Sequence, residues 1–390
     1  MSYALDIDTT LCPRKNACVA FSLIDNVEYT MIAKLPFLIW KAIFCIKTSV
    51  IATLCRQFIR TDYISAYLFE IWQGLYVKYK LLPQIARFAR EQQVDALWVV
   101  LKGQTLIRLA KGLSHVLSLP LFTQVWDPFE LWLRHQSIDR FTRRRFLTMF
   151  DKVIKKSSSC ATTSWAMTEA YTEKYAVKNR SLISSLPVEL ARMPATSSHS
   201  EDEFIIGIAG QIYAVLEWNS LIDTLNETHW KIANRRIRIR VLSNDFALKT
   251  QKPSNIEYLG WQSQEDTMQL LTECDLLYLP YWFSESFRKE TTYCFPSKLI
   301  TYLASGRPVF CHAPPYASPY IYITQHEAGF VCDSLDPQNI RKSLEKVILN
   351  TEHYAKIKTN ASACFLRDFT LESMRKSFFQ LLGFNYDIFS

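Results

Sequence analysis

From about residue 94 the chain alternates short apolar runs with amphipathic stretches, and this alternation constrains the fold more than any other feature. Val94–Val100 reads as a buried strand, Gln104–Leu117 as a helix, Pro120–Val125 as a strand and Ile138–Lys156 as a helix. Cys160–Ser164 and Ser181–Ser184 read as further strands around a helix near Glu169–Tyr175. A polar, Pro/Ser-rich stretch, Pro187–Glu203, then breaks the pattern and reads as a linker. The alternation restarts at once with Phe204–Ala209 as a strand, a helix near Glu217–Thr228, and Ile237–Leu242 as a strand. Strand-like runs follow at Asn255–Leu259, Leu276–Leu279, Val309–His312 and Gly329–Cys332, with helices at Glu265–Glu273, Lys298–Ser305 and Pro337–Leu349. Strands alternating with helices imply βαβ units and a mostly parallel sheet. The expected fold class is α/β, as two doubly wound domains: residues 1–190, a linker at 191–203, and residues 204–390.

Composition narrows the chemistry by exclusion. A hydrophobic fraction of 49% with 21% charged residues in 390 gives enough apolar surface for two cores and excludes a disordered chain. Glycine occurs 9 times and not before Gly74, and no two glycines write GxGxxG or GxxxxGK[ST]. Dinucleotide fingerprints and P-loops are therefore absent. The 10 cysteines never form CxxC and the 7 histidines include no HExxH, so free thiols in a reducing cytosol are expected, and no metal held by protein ligands.

Charge is uneven along the chain. Residues 1–199 carry 26 Lys+Arg against 15 Asp+Glu, and the remainder 19 against 22. Two readings of the basic half stay open: ordinary solvated faces, or contact with anions such as phosphorylated substrates and acidic lipid headgroups. No zinc-finger, homeodomain or RNP-type signature is present, so nucleic acid is not expected. Asp6 and Asp8 interrupt the start, which does not read as a secretory signal. Leu35–Ile59 is broken by Lys41, Lys47 and Arg56; it reads as a core helix or an interfacial one, not a span. Arg134–Lys156 reads as an amphipathic helix with a cationic face, open to the same two interpretations.

The stretch Cys294–Phe310, CFPSKLITYLASGRPVF, carries the most chemistry. Proline, serine and an amphipathic run signal a helix start, with Ser297 expected as the N-cap. Lys298 falls in the first turn, where free backbone N–H groups already favour anions. Gly306 ends the helix and Pro308 follows. The pattern fits an anion site at a strand–loop–helix junction, or simply a well-ended helix.

With these pieces in order, residues 204–385 resemble the donor-binding domain of GT-B glycosyltransferases, specifically retaining glycosyltransferase family 4. The resemblance rests on FIIGIAGQIY with its turn at Gly210, NIEYLGW, CDLLYLPY, FPSKLITYLASGRPV and EAGFVCD. Residues 90–190 fit the acceptor domain more loosely, and Phe369–Leu382 is similar to the helix that crosses back onto the first domain. The resemblance implies a GT-B fold with two Rossmann-like domains facing a cleft. It also implies transfer of a sugar, with retention, from a nucleotide-sugar to a glycan, lipid-linked or small-molecule acceptor, without a bound metal or other cofactor. Donor-binding positions would be Gly210, Gln211, Tyr293, Phe295, Pro296, Ser297, Lys298 and Thr301; Lys298 and Asp127 would be catalytic. Tyr293 and Thr301 stand where the family has paired glutamates, and Trp126 stands where it often has a histidine. Glu217 and Trp218 lie near its usual basic pair. A cytoplasmic protein, peripheral on the inner face of a membrane, is the expected setting. The competing reading is a catalytically silent GT-B module that binds a glycan or a partner glycosyltransferase.

Overall fold

The computed structural model describes residues 71–135, 140–192, 202–243 and 253–384. The 35–59 segment, Asp139 and most of the 191–203 linker lie outside these residues. The described residues form two compact units: one ends its main run at Thr162 and takes in 168–180 and the chain from Gln380, the other takes 163–167 and the described residues between Ser181 and Phe379.

In the first unit a helical stretch ends in α1, Leu82–Glu91, followed by β1 (Leu97–Val100), α2 (Gly103–Leu117) and β2 (Leu121–Val125). Then come α3 (Phe129–His135), α4 (Arg140–Lys156), β3 (Ser159–Thr162), α5 (Trp165–Tyr175) and β4 (Asn179–Ser181). The four strands lie in the order β1-β2-β3-β4, with β1, β2 and β3 parallel. Right-handed crossovers between neighbouring parallel strands put successive helices on one face, and α2 and α4 do pack side by side. Ile107, Leu113, Phe146, Phe150 and Ile154 of these helices are buried, as are Leu97, Val125 and Cys160 of the strands.

The second unit begins with β5 (Glu203–Ala209), α6 (Val215–Glu227), a short antiparallel β6 (Lys231–Ile232), β7 (Arg235–Leu242) and β8 (Ile256–Tyr258). It continues through α7 (Gln264–Thr272), β9 (Leu276–Pro280), α8 (Arg288–Tyr293), α9 (Ser297–Ala304) and β10 (Val309–His312). α10 (Ser318–His326), β11 (Gly329–Cys332), α11 (Pro337–Leu349), α12 (Thr351–Asp368) and α13 (Leu371–Leu382) as far as Phe379 complete it. The main strands are parallel, in the order β11-β10-β9-β5-β7, with β8 beside β7.

Strand alternation explains the two-sided burial. Phe204, Ile206 and Ile208 of β5 join Ile237, Ile239 and Val241 of β7 in a core with α6 and α11. Ile205 and Ala209 point the other way, into a core with α7, α9, α10 and α12. Arg240 also points there, toward the sheet edge, where it pairs with Glu257 (2.8 Å) and Glu273 (2.7 Å). Gly207 is required by packing, because a Cβ there would lie 2.6 Å from Cys274 Sγ.

The last helix passes from one unit to the other in sequence. Leu371–Phe379 belongs to the second unit, whereas Gln380 and Leu381 offer carbonyls to Lys178 Nζ (3.0 Å) and Ser159 Oγ (3.0 Å) within the first. Among the described residues no helix is long and apolar enough to cross a membrane, and no metal-binding cluster of His, Cys, Asp and Glu occurs. The six described cysteines are free.

Candidate functional site

The strand order of the second unit locates a site before any side chain is considered. β5 lies between β7 and β9. The chain builds outward from β5 through β7 to β8, then returns to β9 and builds the other way through β10 to β11. The loops leaving the carboxyl ends of β5 and β9 therefore diverge and leave a crevice, the usual ligand position in open parallel sheets. Gly210 follows β5, and Tyr281 follows β9.

Gly210 has φ +74°, a conformation that costs a side-chain-bearing residue, and its N–H donates to the Leu242 carbonyl at 3.0 Å. This turn presents the Gln211 carbonyl to Lys298, whose ammonium donates to it. The Lys298 Nζ also lies 4.6 Å from the centroid of the Tyr213 ring. Among the described residues it takes part in no ion pair with a carboxylate. Burial holds its pKa down, at about 8, because a half-buried ammonium loses hydration that a carbonyl and a ring face replace only in part.

α9 carries Lys298 and is fastened to the same strand end: the Ala209 N–H donates to the buried Tyr302 hydroxyl at 3.0 Å. The N-cap of α9 is Pro296 (φ −75°, ψ 124°), so Ser297 is the first helical residue and not the expected cap. Proline has no side-chain acceptor and the first turn has no acidic residue, so no side chain caps this terminus. Its free N–H groups and the adjoining ammonium make an unneutralised positive corner beside the Gly210 turn. Gly306 ends the helix with φ +69°, as its sequence position implies.

An aromatic wall adjoins this corner. Tyr213 packs on Trp282 (4.7 Å between centroids) and edge-on to Tyr281 (6.1 Å); Trp282 stacks on Phe287 at 5.1 Å. Among the described residues the buried Tyr213 hydroxyl has no hydrogen-bond partner. Glu217, in the first turn of α6 and 1% exposed, accepts the Phe283 N–H at 2.7 Å and so ties the loop after β9 to α6. Its second carboxylate oxygen, Oε2, is buried with no hydrogen-bond partner among the described residues, and burial raises the pKa. Beneath lies His312, fully buried at the end of β10. Its Nε2–H donates to the Ser334 carbonyl (2.7 Å), so Nδ1 accepts the Tyr278 hydroxyl (2.7 Å). Burial lowers the His312 pKa to about 4, which keeps the ring neutral. It is a satisfied structural histidine.

The other predicted positions fall in different surroundings. Phe295 is in an aromatic cluster, stacked on Phe369 (5.7 Å) and edge-on to Trp165 (5.4 Å) and Tyr322 (5.6 Å). Tyr293 ends α8, and its carbonyl accepts the Ser164 hydroxyl. Thr301 is half-buried one turn into α9 from Ser297. Asp127 is in the first unit, exposed directly after β2 and before α3; its neighbour Trp126 has the Lys102 ammonium 5.3 Å from its ring centroid. Sequence reasoning passed over Tyr213, Tyr281 and Trp282. The only signal for them was a run of aromatics directly after two strand-like segments.

Comparison with known proteins bears on the fold. Residues 223–366 match the family described as "Glucosyltransferase 3-like, C-terminal domain". A comparison with curated proteins gave no match. HepE of Anabaena, solved in complex with UDP, is similar in structure with a TM-score of 0.58 at 16% identity, covering 78% of this chain and 82% of that one. Sucrose-phosphate synthase of Thermosynechococcus elongatus gives 0.56 at 10% identity, covering 78% and 77%. The α,α-trehalose 6-phosphate synthase of Burkholderia multivorans gives 0.55 at 13%, covering 82% and 74%. These similarities show the fold, which is the GT-B glycosyltransferase fold.

Proposed function

We propose that this protein is a glycosyltransferase that takes a sugar from a nucleotide-sugar donor and transfers it, with retention, in the manner of family 4. The observation that carries the proposal is Lys298: a half-buried ammonium without a carboxylate, at an uncapped helix start, facing a glycine turn at the sheet's switch point. This arrangement suits a diphosphate. The Gly210–Gln211 turn lets phosphate oxygens approach backbone, the first-turn N–H groups of Ser297 and Lys298 donate to them, and the ammonium neutralises charge. As the bond between sugar and diphosphate lengthens, negative charge grows on the departing oxygen, and the same donors stabilise it more than they stabilise the bound donor. Catalysis on this reading is positioning plus electrostatics.

The Thr301 hydroxyl and Tyr293 take the positions assigned to donor contacts. Pro296 sets the start of α9, Phe295 supports it from the aromatic cluster, and Asp127 is the acceptor-side candidate. HepE has been solved with UDP-glucose, which makes it the first donor to try here. Calorimetry with UDP-, GDP- and ADP-sugars tests the reading: one of them binds, and Lys298→Ala weakens that binding. Absence of binding by all three sinks it. With a turned-over acceptor, the anomeric configuration of the product checks retention.

A second reading, a silent module that binds a glycan or a partner enzyme, is favoured by Tyr293 and Thr301 at the glutamate positions. Binding of a nucleotide-sugar without nucleotide release across a broad acceptor panel selects it. The cysteine pattern supports placing the protein in the cytoplasm, and the proposal needs no metal or other cofactor.

A further inference from the structure

The segment that leaves β5 meets Lys298 twice. Gln211 presents its backbone carbonyl to the ammonium, which also lies over the Tyr213 ring, 4.6 Å from its centroid. Neither from α9 nor from the loops packed on its start does an acid form an ion pair with this ammonium among the described residues. Tyr213 is wedged in place. It packs at 4.7 Å on Trp282, which stacks on Phe287 at 5.1 Å, and it stands edge-on to Tyr281 at 6.1 Å. Tyr213 and Trp282 also pack against the buried core that contains Leu299, Tyr302 and Cys311. The Tyr213 hydroxyl gains nothing from this packing. It is buried with no hydrogen-bond partner among the described residues, which costs stability that a phenylalanine would keep. The useful part of the side chain is its ring.

We propose that Tyr213 is a positioning residue: its ring holds the Lys298 ammonium against the Gln211 carbonyl, at the corner where the donor's diphosphate would lie. The proposal rests on the donor reading above and adds to it the group that keeps the lysine in place before the donor arrives. A lysine stem is flexible, and an exposed ammonium samples many positions. Held by a carbonyl and a ring face, Lys298 has less freedom left to lose when a ligand binds. A ring suits this task better than a carboxylate. A carboxylate would neutralise the ammonium and compete with phosphate, whereas the ring's quadrupole attracts the cation and leaves its charge undiminished. The carbonyl occupies one N–H and the ring accepts no conventional hydrogen bond, so donors remain for phosphate oxygens. An aliphatic side chain of similar bulk would exclude water from the ammonium and offer it no attraction in return. The lysine would then give up its proton more readily than it does.

The test compares Tyr213→Phe, which keeps the ring and removes the buried hydroxyl, with Tyr213→Leu, which keeps apolar bulk and removes the ring. In the ligand-free full-length protein, the rate at which an amine-acylating reagent modifies Lys298, followed by mass spectrometry against pH, gives the lysine's titration midpoint. Tyr213→Phe leaves that midpoint at about 8. Tyr213→Leu moves it down by about half a unit to one unit, the loss of a desolvated cation–π contact. Binding is measured by calorimetry at a pH below both midpoints, with whichever of UDP-, GDP- and ADP-glucose the wild type binds. Tyr213→Phe matches wild type there, and Tyr213→Leu is weaker by about 2- to 10-fold, the scale of re-ordering one long side chain. A residue that only filled space would lower affinity or stability and leave the midpoint where it is. Where urea unfolding shows that Tyr213→Leu does not fold, Tyr213→Met, apolar and adaptable, takes its place. The inference is overturned by a wild-type midpoint in Tyr213→Leu, by a shift in Tyr213→Phe as large as in Tyr213→Leu, or by equal donor affinity in Tyr213→Leu and wild type. If none of the three nucleotide-sugars binds the wild type, the donor reading falls, and the midpoints still decide whether Tyr213 holds Lys298.

Discussion

Lys298 gives the sharpest prediction because its free-state environment and its proposed ligand act on its charge in opposite directions. Burial lowers its pKa to about 8, so half of the free protein is uncharged at that pH. A bound diphosphate favours the ammonium and moves the pKa back toward the ordinary lysine value of about 10.4. The phosphates of a nucleotide-sugar do not titrate in this range, so the part of the slope that Lys298→Met removes reports the lysine. The sign follows directly. Below pH 7 the site is already protonated and affinity is flat. Above the free-state value, binding must first take up a proton, and affinity declines. Between pH 7 and pH 9 the decline is about tenfold, from the ratio of protonated fractions. At pH 8 binding takes up about half a proton per site. Calorimetry with UDP-glucose at these pH values, repeated in two buffers of different ionisation enthalpy, measures both quantities. Lys298→Met removes the slope and lowers affinity at pH 7 by roughly 10- to 100-fold, the scale of a hydrogen bond to a charged group. Lys298→Arg, which stays charged, removes the slope while keeping much of the affinity. Wild-type affinity that is flat to pH 9, or a slope that survives in Lys298→Met, refutes the assignment of this lysine to the diphosphate.

Three further outcomes follow from the packing. Gly210→Ala forces a left-handed turn on a side-chain residue and puts a Cβ 3.4 Å from Lys298 Cε, so nucleotide-sugar affinity falls by calorimetry while stability drops only about 1–2 kcal/mol. Gly329→Ala has no such latitude: its Cβ would meet the Val309 carbonyl oxygen at 2.6 Å, and urea unfolding shows a loss of about 1–3 kcal/mol with donor affinity little changed. Glu217, with its pKa raised by burial, gives the fold stability that is fully present below its unfolded pKa and is lost as pH rises through the folded one. Glu217→Gln keeps an acceptor for the Phe283 N–H and removes the titration, so it exceeds wild type in urea midpoint at pH 8 by more than at pH 4; a pH-independent difference contradicts the burial argument.

On the proposed reading, the donor side of this GT-B chain has a phosphate corner at Lys298 whose surroundings differ from those of the family it resembles. Where the resembled family has glutamates, α8 and α9 carry Tyr293 and Thr301, and Glu217 is turned inward to hold the loop after β9. A positive corner left without acids is a corner whose charge is available to a ligand. The reading therefore turns on one measurable property, the titration of Lys298.

Local sequence determined the elements. Apolar runs bounded by turns placed β5, β7, β9 and β10 within a residue or two, since β5, β9 and β10 are buried on both faces and β7 alternates buried Ile237, Ile239 and Val241 with arginines on its other face. The 3.6 periodicity and the Gly306–Pro308 ending placed α9 for the same kind of local reason. What local sequence could not determine was every relation spanning the chain. Whether Ser297 or Pro296 caps α9 depends on the backbone path out of α8. The partner of Lys298 is Gln211, 87 positions away. Phe295 became part of an aromatic cluster with Trp165 and Phe369, and Glu217 became the anchor of a loop that contains no complementary charge. Above all, the switch point exists only once strand order is known. Parallel strands buried on both sides look alike in sequence, and the order in which they pair is set by packing and crossover handedness, not by any residue within them.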